Sequence, residues 1–147
     1  MPEALERSRP LSAENDREAQ RPLLLLIDDD PLVGRFLAHA GEECGWRALA
    51  TATADSFRRE FRLLCPDAVA VDLAMPGSDG IELLRFLAGE ECRAPVLIIS
   101  GFDRRVLESA FRLGEALGLE MVGPLAKPVR FDALQSVLQP LREGARR

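Results

Sequence analysis

A chain of 147 residues, 47% hydrophobic and 29% charged, has room for one globular domain with a sizeable core and none for a second folded domain. Its net charge of −5 argues against a phosphate-backbone binder, because non-specific nucleic-acid affinity comes from clustered Lys and Arg. The longest apolar run, Leu23 to Ile27, is too short to span a bilayer, no basic-then-apolar signal opens the chain, and Cys44, Cys65 and Cys92 are odd in number without C-x-x-C spacing, so a cytoplasmic protein lacking a disulfide framework or zinc knuckle is expected.

Residues 1–21 are polar, of mixed charge and without a sustained apolar period, which predicts a flexible tail. Leu23 to Ile27 then reads as a strand buried on both faces, cut off by Asp28-Asp29-Asp30-Pro31. Asp30 before Pro31 has the pattern of a helix cap followed by proline in the first turn. Capping does not account for Asp28 and Asp29: two like charges about 4 Å apart repel by roughly 4 kcal/mol at an effective dielectric of 20, and a cation would relieve that.

Val33, Phe36, Leu37 and Ala40 recur at helical spacing, with Gly45 as a stop; His39 lies beside that face and is expected at the surface. A weak strand at 47–50 precedes a helix with Phe57, Phe61 and Leu64 on one face, ended by Cys65-Pro66. Ala68-Val69-Ala70-Val71-Asp72 is a short apolar run delivering one carboxylate to its end, with a Pro-Gly turn following. Asp79-Gly80 begins a helix carrying Leu83, Leu84 and Leu87; Val96 to Ile99 is another apolar strand, ending in Ser100. A helix from about Asp103 to Leu117, a strand from about Met121 to Ala126 ending in Lys127-Pro128, and a final amphipathic helix bearing Leu134, Val137, Leu138 and Leu141 complete five βα units.

Such alternation means a parallel sheet covered on both faces by right-handed crossovers, with all strand carboxyl ends on one edge. Along that edge lie Asp28, Asp29, Asp72, Ser100 and Lys127, and the carboxyl ends of strands are where open α/β sheets hold their chemistry.

In their order and strand-end placement, the acidic pair Asp28 and Asp29, Asp72 in V-D-L-A-M-P-G, Ser100 after the fourth strand and Lys127 in K-P resemble the receiver (CheY-like) domain of two-component response regulators. The resemblance covers roughly 23–141, and implies a receiver domain over 22–142, a carboxyl-terminal tail over 143–147 and no output domain. It implies a flavodoxin-like (βα)5 sandwich with strand order 2-1-3-4-5, which makes the first and third strands neighbours, about 4.8 Å apart. It also implies Mg²⁺ held by Asp28, Asp29, Asp72 and the Ala74 backbone carbonyl. Asp72 is then the phosphoacceptor, taking a phosphoryl group from a sensor histidine kinase or histidine phosphotransfer protein, with Ser100 and Lys127 assisting. Such a protein is no enzyme in its own right: it catalyses only its own phosphorylation and slow dephosphorylation, and it signals to a downstream protein target without binding nucleic acid or membrane.

Three departures from the family pattern stand out. The position three before the lysine, usually aromatic, is Pro124, and the chain has no tyrosine; Phe102 is the candidate to register loop movement instead. Lys127 follows Ser100 by 27 residues, longer than the family's interval by roughly one to one and a half helical turns, which predicts an extended fourth helix. Ala74 and Phe102, two residues beyond Asp72 and Ser100, offer no side chain to orient a hydrolytic water, so slow self-dephosphorylation is expected. The fourth and fifth βα units are the family's usual reading face and leave a homodimer through them open.

Two other readings use the same residues. A haloacid dehalogenase-like phosphatase would make Asp28 the nucleophile and leave Asp72 without work, but the further acidic pair after the lysine is missing and Pro31 stands where glycine is expected. A receiver-like interaction module that is never phosphorylated would leave the intact five-residue set unexplained.

Overall fold

Five short apolar runs become five parallel strands because each run is ended by a polar residue or turn and followed by an amphipathic helix that folds back over the sheet. In the computed structural model, which describes residues 20–74, 80–101 and 103–145, these are β1 (Leu23–Ile27), β2 (Arg47–Thr51), β3 (Ala68–Asp72), β4 (Val96–Ser100) and β5 (Met121–Ala126). The helices are α1 (Pro31–Glu43), α2 (Ala54–Leu64), α3 (Gly80–Gly89), α4 (Arg104–Ala116) and α5 (Phe131–Ala145). The sheet order is β2-β1-β3-β4-β5, with every pair parallel. This is the flavodoxin-like arrangement expected.

Alternation along the central strands sorts the core into two layers. Leu25 and Ile27 of β1 pack with Val69, Val71, Leu83, Leu84, Leu87 and Phe57 on the face covered by α2, α3 and α4. Leu24 and Leu26 pack with Leu37, Ala40, Trp46, Leu97, Ile99, Leu134 and Leu138 on the face covered by α1 and α5. All five residues of β1, β3 and β4 are buried, as continuous apolar runs require in a sheet covered on both sides.

Local signals behave as their chemistry dictates. Asp30 caps α1, its Oδ1 accepting the Leu32 N–H at 2.9 Å, with Pro31 in the first turn. α2 is capped by Thr53, whose Oγ1 accepts the Ser56 N–H at 3.1 Å, and ends where Cys65 turns left-handed. α4 spans thirteen residues behind an Asp103 cap, about half of the interval between Ser100 and Lys127, and is no longer than α1. α5 continues through Ala145. The tail assigned to 1–21 falls almost wholly outside the described residues, as do Asp79 at the expected start of α3, the Pro-Gly turn after Asp72, and Phe102.

Two side chains expected on buried stripes stand out of them. Phe36 and Leu64 are 46% and 42% exposed. In α1 the buried positions are Gly34, Leu37, Ala40 and Gly41, one stripe at three- and four-residue spacing, and Phe36 lies at its rim.

Candidate functional site

β1 and β3 are adjacent, with Ile27 opposite Val71, so the residues that follow these partners, Asp28 and Asp72, emerge side by side at the carboxyl edge. One side-chain oxygen from each of Asp28, Asp29 and Asp72 lies within 4.8 Å of the other two. Asp28 and Asp72 are almost fully buried, at 1% and 2% exposure, while Asp29 faces solvent.

Backbone donors hold both buried carboxylates in place. Asp28 Oδ1 accepts the Asp30 N–H at 3.0 Å, and Asp72 Oδ1 accepts the Ala74 N–H at 3.0 Å. Their other oxygens converge on one cation: Lys127 Nζ lies 2.7 Å from Asp28 Oδ2 and donates to Asp72 Oδ2 at 3.0 Å. Apart from this charge contact, Asp28 Oδ2 has no well-aligned hydrogen bond, so its burial is offset by Coulombic attraction.

Lys127 arrives from two strands away. β4 lies beside β3, with Asp72 opposite Ile99, and β5 lies beside β4, with Ser100 opposite Ala126. The Lys127 N–H then donates to the Ser100 carbonyl at 2.9 Å. Ser100 is fully buried, and its backbone and that of Lys127 are tied together at the edge where the acids sit.

The electrostatics follow from this crowding. Burial raises the Asp72 pKa above the ordinary carboxylate value, and the neighbouring Asp28 charge adds to the rise; the Ala74 N–H and Lys127 oppose it without cancelling it. For Lys127, burial works to lower the pKa, but its close contacts and charge attraction with Asp28 and Asp72 outweigh that and hold it above the usual lysine value. The lysine is therefore a fixed positive charge between two buried acids.

One signal in the composition was left unused by motif reasoning. Lys127 is the chain's only lysine, every other residue in the Lys and Arg total being arginine. A compact ammonium fits between two carboxylates where a planar guanidinium would demand paired, in-plane acceptors. His39 belongs elsewhere: it is exposed on α1 and pairs with Glu43 at 3.4 Å.

A groove of about 510 Å³ opens beside the lysine, lined by Leu32, Val33, Phe36, Leu37, Lys127, Pro128 and Val129. Leu32 and Phe36, at 73% and 46% exposure, are large apolar side chains facing solvent next to a charged centre.

The response regulator receiver domain model matches residues 24–139 of this chain. The chain is 31% identical over 119 residues to the positive alginate biosynthesis regulatory protein of Pseudomonas aeruginosa, covering 79% of this chain and 45% of that protein. It is 40% identical over 115 residues to the C4-dicarboxylate transport transcriptional regulatory protein DctD of the same organism, covering 76% of this chain and 23% of that protein. It thus spans less than half the length of these two curated relatives. Among solved structures, a response regulator from Colwellia psychrerythraea superposes with a TM-score of 0.71 at 31% identity, covering 84% of this chain and 98% of that one. The Francisella response regulator 1452 receiver domain superposes with a TM-score of 0.69 at 25% identity, covering 84% and 98%. With the sheet order, the strand-end acids and the lysine already in place, these matches show that the chain belongs to the response regulator receiver domain family.

Proposed function

We propose that this receiver domain accepts a phosphoryl group on Asp72 from a phosphohistidine on a partner protein and passes the signal on by conformational change. The observation that carries the reading is a pair of buried carboxylates bridged by the ammonium of the chain's single lysine, at 2.7 Å and 3.0 Å. A structural ion pair needs one acid; the second acid, with Asp29 beside it, makes a cluster of excess negative charge suited to an additional cation.

The donor set fits a small, hard divalent cation. Three carboxylates within 4.8 Å supply oxygen ligands, and Asp28 Oδ2 is a buried oxygen lacking a well-aligned hydrogen bond. Asp28, Asp29, Asp72 and the Ala74 carbonyl would hold Mg²⁺, which when bound would offset negative charge on the carboxylates and on an incoming phosphoryl group.

The chain's own residues account for the remaining steps. An Asp72 carboxylate oxygen attacks phosphorus, the new P–O bond forms as the P–N bond to the donor imidazole breaks, and the imidazole, protonated from solvent on its other ring nitrogen, leaves with the P–N electron pair as the neutral base. Lys127 moves its contact from the Asp72 carboxylate to the phosphoryl oxygens, and the Ser100 hydroxyl donates to one of them. The partner needs a protein surface, and the apolar groove formed by Leu32, Phe36, Pro128 and Val129 beside Lys127 offers a seat for a helix carrying the donor histidine. Sensor histidine kinases and histidine phosphotransfer proteins present such a residue. Output is read by a downstream protein, or by a second copy of the domain, at α4, β5 and α5, where Val106 and Phe131 are exposed.

Intact mass after incubation with a small-molecule phosphodonor tests this reading. One added phosphoryl group is expected in wild type with Mg²⁺, and none without Mg²⁺ or in Asp72→Asn. No adduct in wild type with any donor, cognate kinase included, would favour an interaction module that is never phosphorylated. An adduct kept in Asp72→Asn and lost in Asp28→Asn would point to the phosphatase alternative. The phosphorylated form should persist well beyond seconds once donor is removed, because Ala74 carries no polar side chain to steer a water; decay within seconds would contradict this.

A further inference from the structure

β5 carries one residue more than its partner strand can match. Leu97 faces Val122, whereas Ile99 faces Leu125 and Ser100 faces Ala126, so Ile98 alone stands opposite both Gly123 and Pro124. This is a β-bulge, two residues against one. Gly123 makes it possible: its φ is +84°, and a Cβ there would lie 2.6 Å from Leu97 Cδ1 and 3.3 Å from the Leu125 backbone nitrogen. The backbone conformation is what disfavours a side chain here; the Leu97 methyl ends a flexible side chain and can move aside, whereas the left-handed φ strains any residue with a Cβ.

The bulge reconciles two registers. Upstream, Met121 packs against the core layer under α2, α3 and α4. Downstream, Leu125 packs with Val122 against the opposite layer, under α1 and α5. Val122 and Leu125 are three positions apart, which in a regular strand would put them on opposite faces. Without the bulge, and with Met121 and Val122 kept in register, Ser100 would face Leu125. Lys127 would then run one residue, about 3.3 Å, further along the strand direction and emerge with the opposite facing. It would lose the Ser100 carbonyl contact at 2.9 Å and its reach to Asp28 and Asp72.

We propose that Gly123 is a positioning residue for phosphoryl transfer: its left-handed backbone lets β5 absorb the surplus residue and so sets Lys127 between Asp28 and Asp72. The proposal rests on the phosphoacceptor reading for its kinetic consequence but not for its geometric one. Three forms of the full chain test it: wild type, Gly123→Val, and Gly123→Val with Pro124 deleted, in which a regular strand of the right length replaces the bulge.

Gly123→Val should slow Mg²⁺-dependent phosphorylation by a small-molecule donor at least about tenfold, with the deletion recovering most of the rate. In a Lys127→Met background Gly123→Val should add no further loss, the non-additivity expected of residues that act through one group. A further loss of the same size in that background would mean that Gly123 acts on general stability, and would overturn the proposal. Because Lys127 is the only lysine, lysine labelled with ¹³C at Cε gives a single side-chain signal. That signal should shift in Gly123→Val and return in the deletion variant, whether or not the protein is phosphorylated. If Gly123→Val does not fold, the deletion variant carries the test alone: a folded protein whose lysine signal stays away from the wild-type position overturns the proposal. If wild type takes up no phosphoryl group while the lysine signal behaves as expected, the functional reading fails and the positioning inference stands.

Discussion

Replacing Lys127 with methionine should slow phosphorylation of Asp72 about 100- to 1,000-fold at saturating Mg²⁺, the cost typical of removing one preorganised charge from a transition state. The ammonium lies 2.7 Å from Asp28 and 3.0 Å from Asp72, in a setting where both acids are buried, so its field is weakly screened and needs no reorganisation as charge moves onto the phosphoryl oxygens. Methionine is an unbranched side chain one atom shorter than lysine, and it removes the charge together with the ammonium's hydrogen-bond donors. Lys127→Arg should not restore the rate, because a planar guanidinium cannot occupy the point between two carboxylates that approach from different strands. The time course of the phosphorylated mass in the three proteins measures this, and a Lys127→Met rate within tenfold of wild type would contradict it. Thermal unfolding of the same variants separates the kinetic loss from the cost of leaving two buried carboxylates without their cation.

The largest effect on stability is expected at Trp46. It is fully buried, and its Nε1–H donates to the Leu138 carbonyl at 3.2 Å, joining the turn before β2 to α5. Trp46→Ala should cost about 3–5 kcal/mol, as large-to-small changes of buried aromatics do, and Trp46→Phe should retain most of the packing while losing about 1 kcal/mol for the hydrogen bond. Denaturant midpoints of the two variants measure the split. A Trp46→Ala loss under about 1 kcal/mol would mean that α5 is held chiefly by Leu134 and other contacts. Because α5 follows the loop that carries Lys127, its loosening should also reduce phosphorylation, though less than Lys127→Met.

Much of the fold was legible because its strands announce themselves. Leu23 to Ile27 and Val96 to Ile99 lack polar alternation, which in a chain of this length has few outlets other than a doubly covered sheet. The strand-end polar residues were legible for the same reason, each marking the point where an apolar run stops. Phe36 was misplaced because helical spacing defines a stripe about 100° wide and does not say which of its edges the sheet will cover. The long interval between Ser100 and Lys127 was read as an extended fourth helix, but α4 has the same thirteen residues as α1, and the Gly123-Pro124 bulge within the interval was not legible: turn-forming residues inside an apolar run mark irregularity without saying on which strand the surplus residue is absorbed.

Residue order alone determined that five apolar runs alternate with five amphipathic segments and that each functional side chain sits at a run's carboxyl end. These are local properties, decided by burial preference and periodicity over a few residues. Tertiary structure decided which ends meet. Asp72 and Lys127 are 55 positions apart and at the ends of strands that do not touch, and their 3.0 Å contact depends on the register of β3 on β4 and of β4 on β5, including one bulge. Register is set by side chains packing across strands and layers that are distant in the chain, so it exists only once the sheet has formed.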